Sequence, residues 1–497
     1  SSSPRTSSSS RPSRRSPQLV SASLRVLAAA IALVLVAGVL TAAVRGIEPG
    51  ADHPDRWDPR VRQLADYVEA ARGLSFEHPV EVQFLSADEY REVTGGELPT
   101  PESAAEVAEE LEGQVARLRA LGVVSGDLDL GEVLDQTVDA STLAFYRPED
   151  ETIRVRGTQM TVGLEVTLVH ELTHALQDQH FDLDGLLYGD DVEPGAANAA
   201  LGLVEGDATR IEELYVAEAL SDAEQDTYFE EYDAEIERSE QGNAGVPAFI
   251  QATFGVPYAL GPTFVSMLAN AGGNRDVDHA FREPPTTEEH LFDPASYLAD
   301  ESEAAVDTGI DADDAEETGP FGITRWFLVL AERIDPFDAL QAAIGWDGDE
   351  YAIVEEDGRV CVRAVFRGDS EAEEAQMGEA IDAWVAALPG GEARRLDVEG
   401  HPAIDACDPG PEVDLELRDR SDEALVVPYL WGTYIAAHAH EGPERARCIA
   451  QAALLGGSPA LPYERVVDPS PEVREAVADD LRRLDVLATS TCGVGER

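Results

Sequence analysis

A chain of 497 residues exceeds what one ordinary core fills, so two or more domains are expected. An apolar fraction of 43% excludes wholesale disorder. With 98 acidic against 36 basic residues, the net charge of −62 excludes nucleic acid and anionic lipid headgroups as partners of the body. Every basic residue is arginine. Self-repulsion on this scale is best tolerated where salt screens it, and a GC-rich gene accounts equally well for the missing lysine.

Residues 1–25 form a basic Ser/Arg-rich tail containing Arg5, Arg11, Arg14, Arg15 and Arg25 and no acid. "VLAAAIALVLVAGVLTAAV" (26–44) is apolar apart from Thr41 and long enough to cross a ~30 Å hydrocarbon layer. Arginines before it, and Glu48, Asp52 and Asp55 after it, orient the tail inside and the body outside. The segment is expected to be a retained anchor or, if cleaved, a signal peptide.

The body divides by texture into 52–345, 346–415 and 416–497. "DPRVRQLADYVEAARGL" (58–74) has helical spacing, "HPVEVQFL" (78–85) alternates like a strand, and "PESAAEVAEELEGQVARLRALG" (101–122) reads as a helix. "STLAFYRPEDETIRVRG" (141–157) reads as two strands around a Pro-Glu-Asp turn. Helices are expected from about 161 to 179 and 194 to 221, and further ones to about 272. Residues 282–297 are expected to be a proline-bearing loop, the acidic run 300–318 a solvated one, and 321–334 a helix. A hairpin with an Asp-Gly turn ("YAIVEEDGRVCVRAVF"), the helix 371–388 and strand-like 393–407 make a small α/β module. The remainder reads as helical, so the class is α+β and mostly helix.

Within "TVGLEVTLVHELTHALQDQHFDLDG" (161–185), His170 and His174 lie one helical turn apart with Glu171 beside them. That spacing aims two imidazoles at one zinc ion and sets a carboxylate where it can take a proton from zinc-activated water. Chance supplies roughly 0.02 such motifs in a chain of this composition. Leu164, Leu168, Leu172 and Leu176 repeat every fourth residue, as in a helix packed into a core. A catalytic site needs a third protein ligand. His180 has metzincin spacing, but Gln177 stands where that pattern wants glycine. "LVEGDA" (203–208) offers Glu205 from the next long helix, and this is the favoured ligand. Glu212 and Glu213, two turns on, read as exposed charges.

"VHELTHALQDQHFDL" followed by "VEGDA" resembles the gluzincin-type zinc metallopeptidases of the peptidase-MA (zincin-like) superfamily, of which thermolysin carries a "HELTHA" core. More closely it resembles a group of surface proteins of actinobacteria and salt-loving archaea, matched also by 284–297 and 345–354. The resemblance covers roughly residues 58 to 415. It implies a zincin-like fold, zinc ligands His170, His174 and Glu205, Glu171 as general base, and a polypeptide substrate. The chain departs from thermolysin in the longer spacing from His174 to Glu205 and in lacking an acid four residues after Glu205, which leaves Asp207 as a candidate partner of a ligand.

An extended peptide would add to the edge of "STLAFY" (141–146). His290 and Tyr258 are candidate donors to the developing oxyanion. "DLDG" (182–185) reads as a polar turn rather than a calcium loop. Four cysteines in an exported chain favour disulfides; of three possible pairings, Cys361–Cys407 and Cys448–Cys492, between chain neighbours, are expected. Two readings compete with peptide hydrolysis: a non-catalytic zinc-containing surface scaffold, and a zinc hydrolase of cell-wall amides.

Overall fold

The computed structural model describes residues 53–94, 101–140, 143–189, 192–310, 315–389, 393–455, 463 and 471–492. The basic tail and the apolar segment 26–44 lie outside these residues. No described helix is long and apolar enough to cross a membrane.

The helix Arg62–Arg72 stops at Gly73, whose φ of 72° lets its N–H reach back to Glu69 O. The chain then lays down β1 (Glu81–Leu85) and, after three helices, the hairpin of β2 (Ala144–Arg147) and β3 (Thr152–Arg156). Strand β1 runs parallel to β3 and β2 antiparallel to it, giving the order β1-β3-β2 and leaving β2 at an edge. One face of this sheet packs on Val162–Phe181, here called the motif helix. Ile153 and Val155 meet Leu164, Leu168, Leu172 and Leu176 in one apolar cluster, so the fourfold leucine repeat does face a core.

Next come Pro194–Glu218, the glutamate helix, then Asp222–Gly242 and Ala248–Gly272, the tyrosine helix. The glutamate and tyrosine helices cross backbone to backbone. A Cβ built on Gly261 would lie 2.1 Å from Gly202 O, and one on Gly206 would lie 2.3 Å from Gly261 O. Only hydrogen fits at Gly206 and Gly261, so the crossing is written into these glycines.

Two sequence expectations need correction. The stretch 282–297 is not simply a loop: it holds the short buried helices Glu289–Phe292 and Pro294–Leu298, the second capped by Asp293. Helices this short show no readable periodicity. The acidic run ends in a strand, β4 (Glu317–Gly319), paired with β5 (Trp346–Glu356). The second sheet, completed by β6 (Arg359–Gly368), β7 (Ala393–Val398) and β8 (His401–Cys407), has the order β4-β5-β6-β8-β7. Asp357 and Gly358, both at positive φ, make the expected hairpin turn. Trp326, Phe366, Trp384 and Trp431 belong to one apolar cluster, which therefore draws on all three textural segments. Disulfides join Cys361 to Cys407 across β6 and β8, and Cys448 to Cys492. The described chain is α+β and mostly helical.

Candidate metal centre

The motif helix begins at Thr161, whose hydroxyl accepts the Leu164 N–H at 3.2 Å. Ten residues in, His170 and His174 stand on one face with ring centroids 4.6 Å apart. Glu205 arrives from the glutamate helix. Its Oε2 lies 3.1 Å from His170 Nε2 and 3.3 Å from His174 Nε2. One ligand atom from each of the three residues falls within 4.8 Å of the others.

The far sides of the rings decide what these atoms are. His174 Nδ1 meets Gln177 Oε1 at 3.0 Å. The Gln177 amide cannot be flipped, because its Nε2 donates to Val204 O (3.0 Å) and Asp207 Oδ2 (3.1 Å). His174 Nδ1 is therefore the donor. His170 Nδ1 lies 3.1 Å from Glu212 Oε2, and an ionised carboxylate only accepts, so that nitrogen donates too. In the neutral rings both Nε2 atoms then carry lone pairs, aimed at a carboxylate oxygen. Three electron-pair donors converge on one point, an arrangement that only a proton or a metal cation can satisfy.

Acid–base behaviour agrees. Burial disfavours charge on His170, but hydrogen bonds and proximity to Glu205 and Glu212 outweigh it and hold the ring well above its ordinary pKa. His174 is raised as well, with burial opposed chiefly by Glu205. Burial works against the Glu205 carboxylate, yet His174 and His170 hold it well below the usual range. A metal ion bound here would take the place of those protons, so its affinity must rise with pH.

Glu171 is 7% exposed, and its Oε2 accepts the Tyr146 N–H of β2 at 2.7 Å. Burial raises its pKa, moderated by His174 and His170. Tyr258 donates its hydroxyl to Glu205 Oε1 at 3.0 Å, where the glycine crossing brings the two helices together. Burial and then Glu205 push that phenol well above its ordinary value, so it remains a donor. Tyr258 thus holds the Glu205 oxygen turned away from the histidines.

The other candidates fall elsewhere. Among its described contacts His290 meets none of the cluster. Its Nδ1 pairs with Ser296 Oγ at 2.8 Å and its ring stands edge-on to Tyr297, because the Glu289–Phe292 helix turns it towards the Arg447 side of the core. Burial lowers its pKa to about 4. His180 lies on the exposed flank, bonded through Nε2 to Ser75 O at 2.9 Å, and makes no third ligand. Asp207 acts at one remove: it receives Gln177, Arg210 (3.0 Å) and the fully buried Arg72 (2.7 Å).

Glu212, read from sequence as an exposed charge, is instead the partner of His170. Its spacing of seven residues from Glu205, two turns along one face, was the available signal. Gln177 carried a similar one, three residues after His174. Arg72 is 135 residues from Asp207, and nothing local could have named it. Compared with known proteins, the chain matches no family model, no curated protein and no solved structure.

Proposed function

We propose that this chain is a zinc-dependent metallopeptidase of the gluzincin kind, with a zincin-like catalytic region formed by the sheet β1–β3, the motif helix and the glutamate helix. The observation that carries the reading is the convergence of His170 Nε2, His174 Nε2 and Glu205 Oε2 beside the buried carboxylate of Glu171. Those three residues would hold the metal, and the donor set of two imidazoles and one carboxylate suits zinc. When bound, zinc supplies Lewis-acid polarisation of a carbonyl and a water acidic enough to attack at neutral pH.

Everything else falls to the chain's own groups. Glu171, tethered to β2 and raised in pKa by burial, accepts the proton of the attacking water and delivers it to the leaving amine. Tyr146 N–H points away from β3, and strand alternation puts the Tyr146 carbonyl and the Ala144 amide on the same open edge. A polypeptide lying along that edge brings its backbone next to the base. Tyr258 keeps Glu205 oriented. The two disulfides suit an extracytoplasmic body, held at the membrane by 26–44 or released from it.

The test is zinc content and peptide cleavage of the purified protein. Stoichiometric zinc, with cleavage lost in Glu171→Gln while zinc is retained, supports the reading. Stoichiometric zinc without hydrolysis of any denatured protein would move the chain to the surface-scaffold class. Cleavage of wall fragments but not peptides would make it an amide hydrolase of the cell wall. Absence of zinc would refute all three.

A further inference from the structure

The two histidines are held from behind by different chemistry. His174 rests on a neutral amide, Gln177, which is itself locked by Val204 O and Asp207. His170 rests on a carboxylate, Glu212, whose second oxygen accepts the Tyr228 hydroxyl at 3.1 Å. Tyr228 belongs to a different element, the helix Asp222–Gly242, and is buried there with its ring stacked on Tyr232 at 5.5 Å. Besides reaching Glu212 on the glutamate helix, the same helix grips the motif helix directly: Glu231, one turn from Tyr228, accepts the Gly163 N–H at 2.7 Å. Those contacts set the helix in register with His170, so the Tyr228 hydroxyl is placed by packing rather than by chance.

We infer that Glu212 and Tyr228 are positioning residues of the metal centre, Glu212 fixing the ring and tautomer of His170 and Tyr228 acting only through Glu212. This rests on the metallopeptidase reading for the identity of the metal, but not on hydrolysis. Glu212 does two things: it orients the ring and it adds a negative charge behind it, which makes Nε2 a better donor. The Gln177 pair shows that an amide in this protein can orient a histidine without the charge. Replacing Glu212 by Gln therefore removes charge and keeps orientation, whereas Leu removes both. Among the described contacts Tyr228 reaches the ring only through the carboxylate, so its effect should vanish when the carboxylate does.

The experiment measures zinc affinity by chelator competition, and the visible spectrum of the cobalt(II) form, in the full chain. The proteins are wild type, Glu212→Gln, Glu212→Leu, Tyr228→Phe and the double variant Glu212→Leu/Tyr228→Phe, with melting of the metal-free proteins as the fold control. Second-sphere changes typically cost about 10- to 100-fold in affinity. Glu212→Gln is expected near the lower end and Glu212→Leu near the upper, with an altered cobalt spectrum in the latter. Tyr228→Phe should weaken binding several-fold alone and by nothing further in the double variant. Unchanged affinity in Glu212→Leu, or a Tyr228→Phe loss that adds in full to the Glu212→Leu loss, overturns the inference. A wild-type protein that binds zinc without cleaving peptides defeats the metallopeptidase reading and leaves this one standing; a wild-type protein that binds neither metal defeats both.

Discussion

Arg72 offers the sharpest test of how the site is supported. Its side chain and that of Asp207 are both wholly excluded from solvent, with Nε to Oδ2 at 2.7 Å, while its Nη2 reaches Asp278 at 2.8 Å. Arg72→Ala would strand the Asp207 carboxylate with Arg210 and Gln177 alone. Breaking a buried pair from one side costs about 3–5 kcal/mol, because the remaining charge stays desolvated. Arg72→Met/Asp207→Leu removes both charges. Asp278 is 17% exposed and can be hydrated, and Arg210 keeps Asn274 as a partner, so the double variant should recover most of the loss. Urea unfolding followed by tryptophan fluorescence reads the result as a fall in midpoint on the order of 1 M for the single variant. The pH dependence gives a second signature. Asp207 is held below its ordinary value, burial being outweighed by Arg72 and then Arg210. Its contribution is present above the unfolded carboxyl value and is lost as pH falls through the folded one, a loss that should shrink in Arg72→Ala. A single variant costing under about 1 kcal/mol, or a double variant worse than the single, would refute the account.

Tyr258→Phe removes the donor on Glu205 Oε1 and is expected to weaken zinc binding roughly tenfold with the fold retained, checked by chelator competition. Gly261→Ala drives a methyl into Gly202 O, which cannot move aside, and should cost about 1–3 kcal/mol or more while prising Tyr258 from Glu205; thermal melting and zinc titration report the two effects. Glu289 is pushed up to about 9 by burial and then by Asp293, so the folded chain holds a proton the unfolded chain releases. That contribution is present below the unfolded value and lost as pH rises towards 9, so wild-type melting temperature should fall across that window more steeply than that of Glu289→Gln. Reduction of the two disulfides, which close loops of sequence separation 46 and 44, should cost about 2–5 kcal/mol each and lower the melting temperature read by thermal unfolding.

What could be read in advance was whatever depends on neighbours along the chain. The leucine repeat, the Asp-Gly hairpin and the i, i+4 histidines are local: backbone geometry alone places them on one face or one turn. Glu205 was nameable because a second long helix followed the first; Glu212 was placed two turns on but read as an exposed charge, because only helix packing sets it behind His170. The short helix carrying His290 was unreadable, and so was the direction its ring would take. The choice between Glu205 and His180, the amide lock on His174, the Tyr228 hydroxyl behind Glu212 and the Arg72–Asp207 pair were decided by tertiary packing. Each needs two segments brought within about 3 Å by helix crossings and cores formed elsewhere, and no periodicity within either segment encodes that distance.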